Sequence, residues 1–163
     1  MYWQDEIEKI YCSYSDDVYR YLFSMCRNPT VAEDLLQSTF LQVIRGITGF
    51  RNSSTLKTWI FTIARHEYFH WLKKNQPVLP LDENLPSKEN MEGDCEHKDQ
   101  VQQILDYIGA LDEPLPSLMI LRLTGGLSFG EIGAILGKTE VWARVTFMRS
   151  KYKLLQELKE EYI

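Results

Sequence analysis

Apolar residues recur at steps of three and four from the start of the chain. Ile7, Ile10, Tyr11, Tyr14, Val18, Tyr21, Leu22 and Met25 fall on one side of a helix, which Asn28-Pro29 should end. Thr30 and Glu33 have the spacing of a capping box, opening a second helix that turns Leu35, Leu36, Phe40, Val43 and Ile44 inward. That helix is predicted to stop at Gly46 or Gly49, and Ser53 or Ser54 can cap a third, running to about Lys74 ahead of Pro77. Periodicity then lapses from Gln76 to about Lys98, where three prolines and six acids mark a linker.

Order resumes with Val101, Ile104, Leu105, Ile108 and Leu111 on one helical face, broken by Pro114 and Pro116. A short helix around Leu118 to Leu123 leads to the Gly125-Gly126 corner. Nowhere is there the sustained alternation that a strand needs. The pattern predicts an all-α chain of two small helical domains, with three helices in residues 1–75, a flexible linker over 76–98 and a second helical domain over 99–163.

The most specific local pattern lies in residues 128–151. Ser128 and Glu131 form a second capping box, Ile132, Ile135 and Leu136 supply a buried face, and Gly137 suits a left-handed helix exit. Thr139 can cap a following helix to about Tyr162. Two helices joined by so short a turn cross steeply, which suits an ordinary helical hairpin with a solvated charged face or a helix-turn-helix that lays its second helix in the DNA major groove. On that second helix Val141, Val145, Met148 and Tyr152 form one apolar stripe, and Ala143, Phe147 and Leu154 form another nearly opposite. Periodicity does not decide which stripe is buried.

Composition changes the picture in two respects. The chain has 163 residues and 44% hydrophobic content, enough for folded cores, and no apolar run near the ~18 residues of a membrane span. Without a signal-peptide layout at the N-terminus, a cytoplasmic protein is expected. Cys12, Cys26 and Cys95 form no Cys-x-x-Cys, so neither a disulfide framework nor a structural zinc site is indicated, and buried thiols are expected for the first two.

The net charge of −5 sits badly with DNA binding until it is resolved along the chain. Residues 51–76 carry five bases and one acid, residues 77–114 two bases and ten acids, and residues 115–163 seven bases and five acids. Two basic blocks flank an acidic middle, as two DNA-facing segments would. The first block interleaves Lys57, Arg65, Lys73 and Lys74 with Trp59, Phe61, Tyr68, Phe69 and Trp71, a mixture that suits unstacked bases and a single-stranded backbone. It also contains His66-Glu67-Tyr68-Phe69-His70, literally the His-Glu-x-x-His of a zinc protease. A catalytic zinc needs a third ligand and an open cleft. The remaining histidine, His97, lies beyond the acidic stretch, so no metal, cofactor or catalytic residue is expected.

Three segments in this order and spacing, Ala32-Glu-Asp-Leu-Leu-Gln-Ser-Thr-Phe40, Trp59-Ile-Phe-Thr-Ile-Ala-Arg65 and Leu127-Ser-Phe-Gly-Glu-Ile-Gly-Ala-Ile-Leu-Gly137, resemble a bacterial extracytoplasmic-function sigma factor of the sigma-70 family. The resemblance covers about residues 5 to 160. It implies a dissociable RNA polymerase subunit, not an enzyme, that reads two promoter elements and initiates transcription in response to envelope or other stress. By family position Glu33, Asp34, Leu36, Gln37 and Phe40 would meet the clamp helices of the largest polymerase subunit, while the C-terminal domain would meet the flap of the second-largest. The third helix and the loop before it would recognise and melt the minus-ten element, through Phe50, Arg51, Lys57, Trp59, Arg65, His66, Phe69, His70, Lys73 and Lys74. His66 and His70 stand where the family commonly has Asn and Asp, which weakens transfer of base specificity.

The family register makes Ala143, Phe147 and Leu154 core, leaving Thr139, Trp142, Arg144, Val145, Thr146, Arg149 and Lys153 for the minus-35 element. It also implies a membrane-anchored anti-sigma factor that would hold the chain at the inner membrane face. The alternative from the residues alone is a self-standing helix-turn-helix regulator with an N-terminal sensor or dimerisation domain.

Overall fold

Helix ends in this chain are set by side chains that satisfy free backbone amides. The computed structural model describes residues 2–51, 53–75 and 95–161. The first helix, α1 (Tyr2–Cys26), is closed by Arg27 in the left-handed region at φ 60°. Asn28 Oδ1 then accepts from the amides of Thr30 and Val31 at 2.9 and 3.2 Å, with Pro29 in the first turn of α2 (Pro29–Gly46). The expected Thr30–Glu33 capping box is therefore replaced, because Asn28 takes the cap two residues earlier. A single 3-10 turn, Ile47–Gly49, follows.

Thr55, rather than Ser53 or Ser54, caps α3 (Leu56–Lys74), its hydroxyl accepting from the Thr58 amide at 3.1 Å. The expected linker lies outside the described residues up to 94. From Cys95 onward it is already helix, α4 (Cys95–Gly109). Pro114 and Pro116 open α5 (Leu115–Gly125), which ends at Gly126 with φ 63°. Then come α6 (Phe129–Leu136) and α7 (Glu140–Glu161). No strand occurs among the described residues, and the fold is all-α.

The helices of the first unit pack as a bundle, α1 against α2 and α3 and α2 against α3. In the second, α5 supports α4, α6 and α7. The two units also meet directly, α1 lying on α5 and α3 on α6. This explains α5, where Leu118, Met119, Ile120 and Leu121 are all buried in succession. A helix apolar on every side has partners on every side. Val18, Tyr21 and Leu22 of α1, Ile60, Phe61 and Ala64 of α3, Leu127 just before α6 and Ile132 within it complete one continuous cluster. Each large side chain in it contributes roughly 1.5–3 kcal/mol by leaving water.

Polar contacts ring this junction. Arg27 at the end of α1 pairs with Asp106 on α4 at 2.9 Å. Arg65 on α3 reaches Ser117 Oγ at 3.5 Å and Glu113 at 3.9 Å. The thiol of Cys26 is half-buried and Cys12 is exposed, so Cys12 is not the core thiol expected from its residue type.

Candidate nucleic-acid interface

The C-terminal motif has the anticipated geometry. Ser128 Oγ accepts from the Glu131 amide and Glu131 Oε1 accepts from the Ser128 amide, both at 3.1 Å. Gly137 closes α6 at φ 69°, and the Lys138 amide returns to Gly133 O at 2.7 Å. Gly133 is required by proximity: a Cβ there would stand 2.7 Å from Lys138 O. Thr139 Oγ1 accepts from the Trp142 amide at 3.0 Å and so starts α7.

Burial chooses between the two stripes of α7. Ala143, Phe147 and Leu154 are buried, Phe147 packing on Phe129 with ring centroids 5.6 Å apart. Val141, Val145, Met148 and Tyr152 are exposed. Beside them Arg144, Arg149 and Lys153 are exposed, while Trp142 and Thr146 are half-buried. Arg144 is held by Glu140 at 2.7 Å, Lys138 lies over the Trp142 ring at 5.5 Å, and the exposed Thr139 has its hydroxyl engaged in the cap. The expected residues thus run from the turn to Lys153, past the middle of α7, joined by Val141 and Met148, which the family register does not select.

Helix α3 divides its expected residues between two directions. His66, His70, Lys73 and Lys74 are exposed, and Arg51 is exposed in the preceding loop. Half-buried Trp59 meets Phe50 at 5.0 Å, over Gly46, where a Cβ would press on the indole at 3.0 Å. Half-buried Phe69 packs edge-on against Tyr68, whose buried hydroxyl donates to Met25 O at 3.3 Å. Burial pushes the Tyr68 hydroxyl up to about 12, with Cys26 and Glu113 adding to the shift.

Lys57 and Arg65 point the other way, into the junction. Lys57 Nζ donates to Gly126 O at 3.5 Å, and Arg65, also 4.8 Å above the Phe69 ring, is held by Glu113 and Ser117. Both cations are engaged by the C-terminal unit. Glu131 joins the same seam, with the Thr55 and Thr58 hydroxyls 3.2 and 3.4 Å from its Oε2. Burial alone would raise the Glu131 carboxyl. The amide and hydroxyl of Ser128, the Thr55 hydroxyl and the charge of Lys57 outweigh it and hold the group below its ordinary value.

On α2, Glu33, Asp34 and Gln37 are exposed and Leu36 is half-buried. Phe40 is not the exposed aromatic anchor that the resemblance suggests: it is buried and meets Tyr11 edge-on at 4.9 Å. The outward apolar residues on this face are Leu41 and Ile44. Sequence reasoning put Ile44 in the core and passed over Leu41. At helical spacing both fall with Glu33 and Gln37, away from the Leu35–Thr39–Val43 side.

His66 and His70 lie one turn apart on α3, and among the described residues no group of three or more His, Cys, Asp or Glu is placed to hold a metal ion. No helix among them is long and apolar enough to cross a membrane.

Residues 10–78 match the family model for sigma-70 region 2. The RNA polymerase sigma factor CarQ of Myxococcus xanthus is 30% identical over 160 residues, covering 97% of this chain and 91% of that protein. The chain belongs to the extracytoplasmic-function sigma factors of the sigma-70 family. The extracytoplasmic-function sigma factor SigM of Bacillus subtilis (strain 168) is 26% identical over 151 residues, covering 91% of the chain and 92% of its own length. Among solved structures, the sigma factor RpoE of Bartonella quintana in complex with the anti-sigma factor NepR shares the fold, with TM-score 0.72 at 20% identity over 94% of this chain and 97% of that one. Region 2 of this sigma factor therefore comprises most of α1 with α2 and α3.

Proposed function

We propose that this sigma factor docks on core RNA polymerase through the outward face of α2 and reads two promoter elements, the minus-ten with α3 and the minus-35 with α6 and α7. Residues 1–75 act as region 2, residues 76–98 as the connection, and residues 99–163 as region 4. On α2, Glu33, Asp34 and Gln37 supply charge and amides, and Leu41 and Ile44 the apolar anchor, for the clamp helices of the largest subunit. Region 4 meets the flap of the second-largest subunit. Catalytic residues have no part in this role.

The observation that carries the reading is the face of α7. It starts at a capped turn, exposes Arg149 and Lys153, and is held by a buried stripe on its far side. Early side chains of such a helix reach base edges in the major groove. Val145 can contact thymine methyl groups, while Arg149 and Lys153 take phosphate or a guanine edge. On α3, Trp59 and Phe69 offer planar surfaces and Lys73 and Lys74 hold the strand, as capture of melted bases requires.

Promoter binding also demands that the two units part. The elements lie about 25 base pairs apart, or about 85 Å at 3.4 Å per pair. A compact chain of this length has a radius of gyration of only about 15 Å. The junction described above is the closed form, and it withholds Lys57 and Arg65 from DNA. An anti-sigma factor, membrane-anchored on the family pattern, stabilises such a form. The likeness to a sigma factor solved with its anti-sigma factor supports this partner.

Run-off transcription with core polymerase on a genomic promoter library tests the reading. Specific transcripts that depend on both protein and core are expected. Duplex binding by the chain alone, with no effect on core, would instead establish a stand-alone regulator.

A further inference from the structure

His66 and His70 stand four residues apart in the middle of α3, and both are exposed. Residues at that spacing are neighbours on one helix face, with Cβ atoms roughly 5–6 Å apart. Two imidazoles so placed can each turn a ring nitrogen to a single ion, at the ~2.0–2.1 Å of a zinc–nitrogen bond. Among the described residues neither ring enters a hydrogen bond, an ion pair or a ring contact, so both are uncommitted. The helix beneath them is fixed. Ile60, Phe61, Ala64 and Tyr68 on its other side are buried, and Thr55 caps its first turn. Ligands held in place before an ion arrives lose little further freedom when it binds.

The pair supplies only part of a coordination sphere. Glu67, half-buried one helical step from His66, does not complete it, since no third His, Cys, Asp or Glu among the described residues is placed with the two. A four-coordinate ion would keep two open positions. Lys73 and Lys74, exposed three and four residues past His70, share the same face. Their charge repels a bare cation and attracts an anionic donor. We propose that His66 and His70 bind one divalent transition-metal ion of the kind that prefers imidazole, such as zinc, nickel or copper(II). Its open positions take phosphate oxygen from a single strand that Lys73 and Lys74 help to hold, a second half that rests on the reading of α3 as a strand-binding helix. Strand phosphates offset the repulsion between the ion and the two lysines. Ion and strand therefore tighten each other's binding by the same factor.

The untagged full-length chain is titrated with nickel(II) by calorimetry, beside His66→Ala and His70→Ala. Both positions are exposed, and unchanged circular dichroism verifies that each variant folds. Loss of even an outer-shell partner weakens metal binding about 10- to 100-fold, so each variant should bind nickel(II) at least about tenfold more weakly than the parent. No binding by the parent, or undiminished affinity in either variant, overturns the site. A mixed-sequence, fluorescein-labelled single-stranded oligonucleotide is then titrated with each protein in nickel(II) and in EDTA. The parent should bind it about fivefold or more tightly with the metal, and each variant equally in the two conditions. Nickel(II) that binds the pair but leaves the parent's oligonucleotide affinity unchanged, or lowers it, overturns ligation by the strand. An oligonucleotide bound in neither condition counts against α3 as a strand-binding helix, while the nickel titration still decides the site.

Discussion

Thr55 Oγ1 lies 3.2 Å from Glu131 Oε2, so the residue that caps α3 hydrogen-bonds the carboxylate that closes the capping box of α6. Two helix N-termini, seventy-six residues apart in sequence, are joined through one carboxylate. Local and long-range structure therefore depend on the same group. In a double-mutant cycle, Thr55→Ala and Glu131→Ala should each lower unfolding free energy by about 1 kcal/mol through the lost caps. They should also show a coupling of about 0.5 kcal/mol or more, because each removes the other's partner. Urea denaturation of the four proteins measures it, and strict additivity would place the two caps apart in solution.

The same carboxylate sets a pH dependence. Its value is depressed in the folded chain, so the folded state favours the ionised form and the unfolded state takes up the proton first. The stabilisation is complete above the ordinary value of 4.5 and fades as pH falls through the lower folded value. The stability difference between the parent chain and Glu131→Gln should therefore be constant from pH 7 to about pH 5.5 and shrink below pH 4.5. A difference that persists unchanged into the acid range would assign the effect of the substitution to something other than the charge.

Gly133 faces the turn it helps to make. Since an added Cβ would meet backbone at Lys138 and Thr139, no side-chain rotation can make room for it. Gly133→Ala should destabilise the chain by about 1–3 kcal/mol, an overpacking cost. It should also shift the start of α7 and weaken minus-35 duplex binding. Thermal unfolding and duplex titration, run in parallel, check both; a stable variant with weakened duplex binding would confine the effect to α7 placement.

How far the sequence revealed this arrangement depends on how local the signal was. Ser128–Glu131, Gly137 and Thr139 were legible because caps and left-handed exits are set within a few residues. The caps of α2 and α3 were displaced by one or two residues, since Asn28, Thr30, Ser54 and Thr55 are all competent and only the path of the backbone selects among them. Phe40 and Leu41 are adjacent and both apolar, so which one turns inward depends on α1 and not on α2 alone. Least legible was the junction. The unbroken apolar run from Leu118 to Leu121 was its one sequence trace, and the engagement of Arg65 by Glu113 and Ser117 left none, because pairing across forty-eight and fifty-two residues obeys no short period.

Of the exposed cations on α7 that enter no ion pair among the described residues, Arg149 lies nearest the early turns. If it holds a guanine edge, Arg149→Ala should weaken binding to a minus-35 duplex by about 1–3 kcal/mol and relax preference at one position. If it holds phosphate, binding should weaken for all sequences alike and the salt slope should fall by about 1. Titration of holoenzyme against duplexes varied at single positions, at two salt concentrations, separates the two. Unchanged affinity would move the DNA contact away from this face.

Glu113 gives a way to open the junction without touching the residues proposed to face DNA. It lies 3.9 Å from Arg65, with both side chains partly exposed, so the pair is worth at most about 1 kcal/mol. Glu113→Gln keeps the hydrogen-bond acceptor for Ser117 but removes the charge that holds the guanidinium. The free chain should then release Arg65 more often and bind a single-stranded minus-ten oligonucleotide up to about fivefold more tightly, as about 1 kcal/mol allows. In holoenzyme, where the proposed function requires the two units to be apart, the same substitution should leave affinity unchanged. Fluorescence titration of both forms checks this, and an equal gain in the two would show that Glu113 acts by repelling DNA and not by closing the junction.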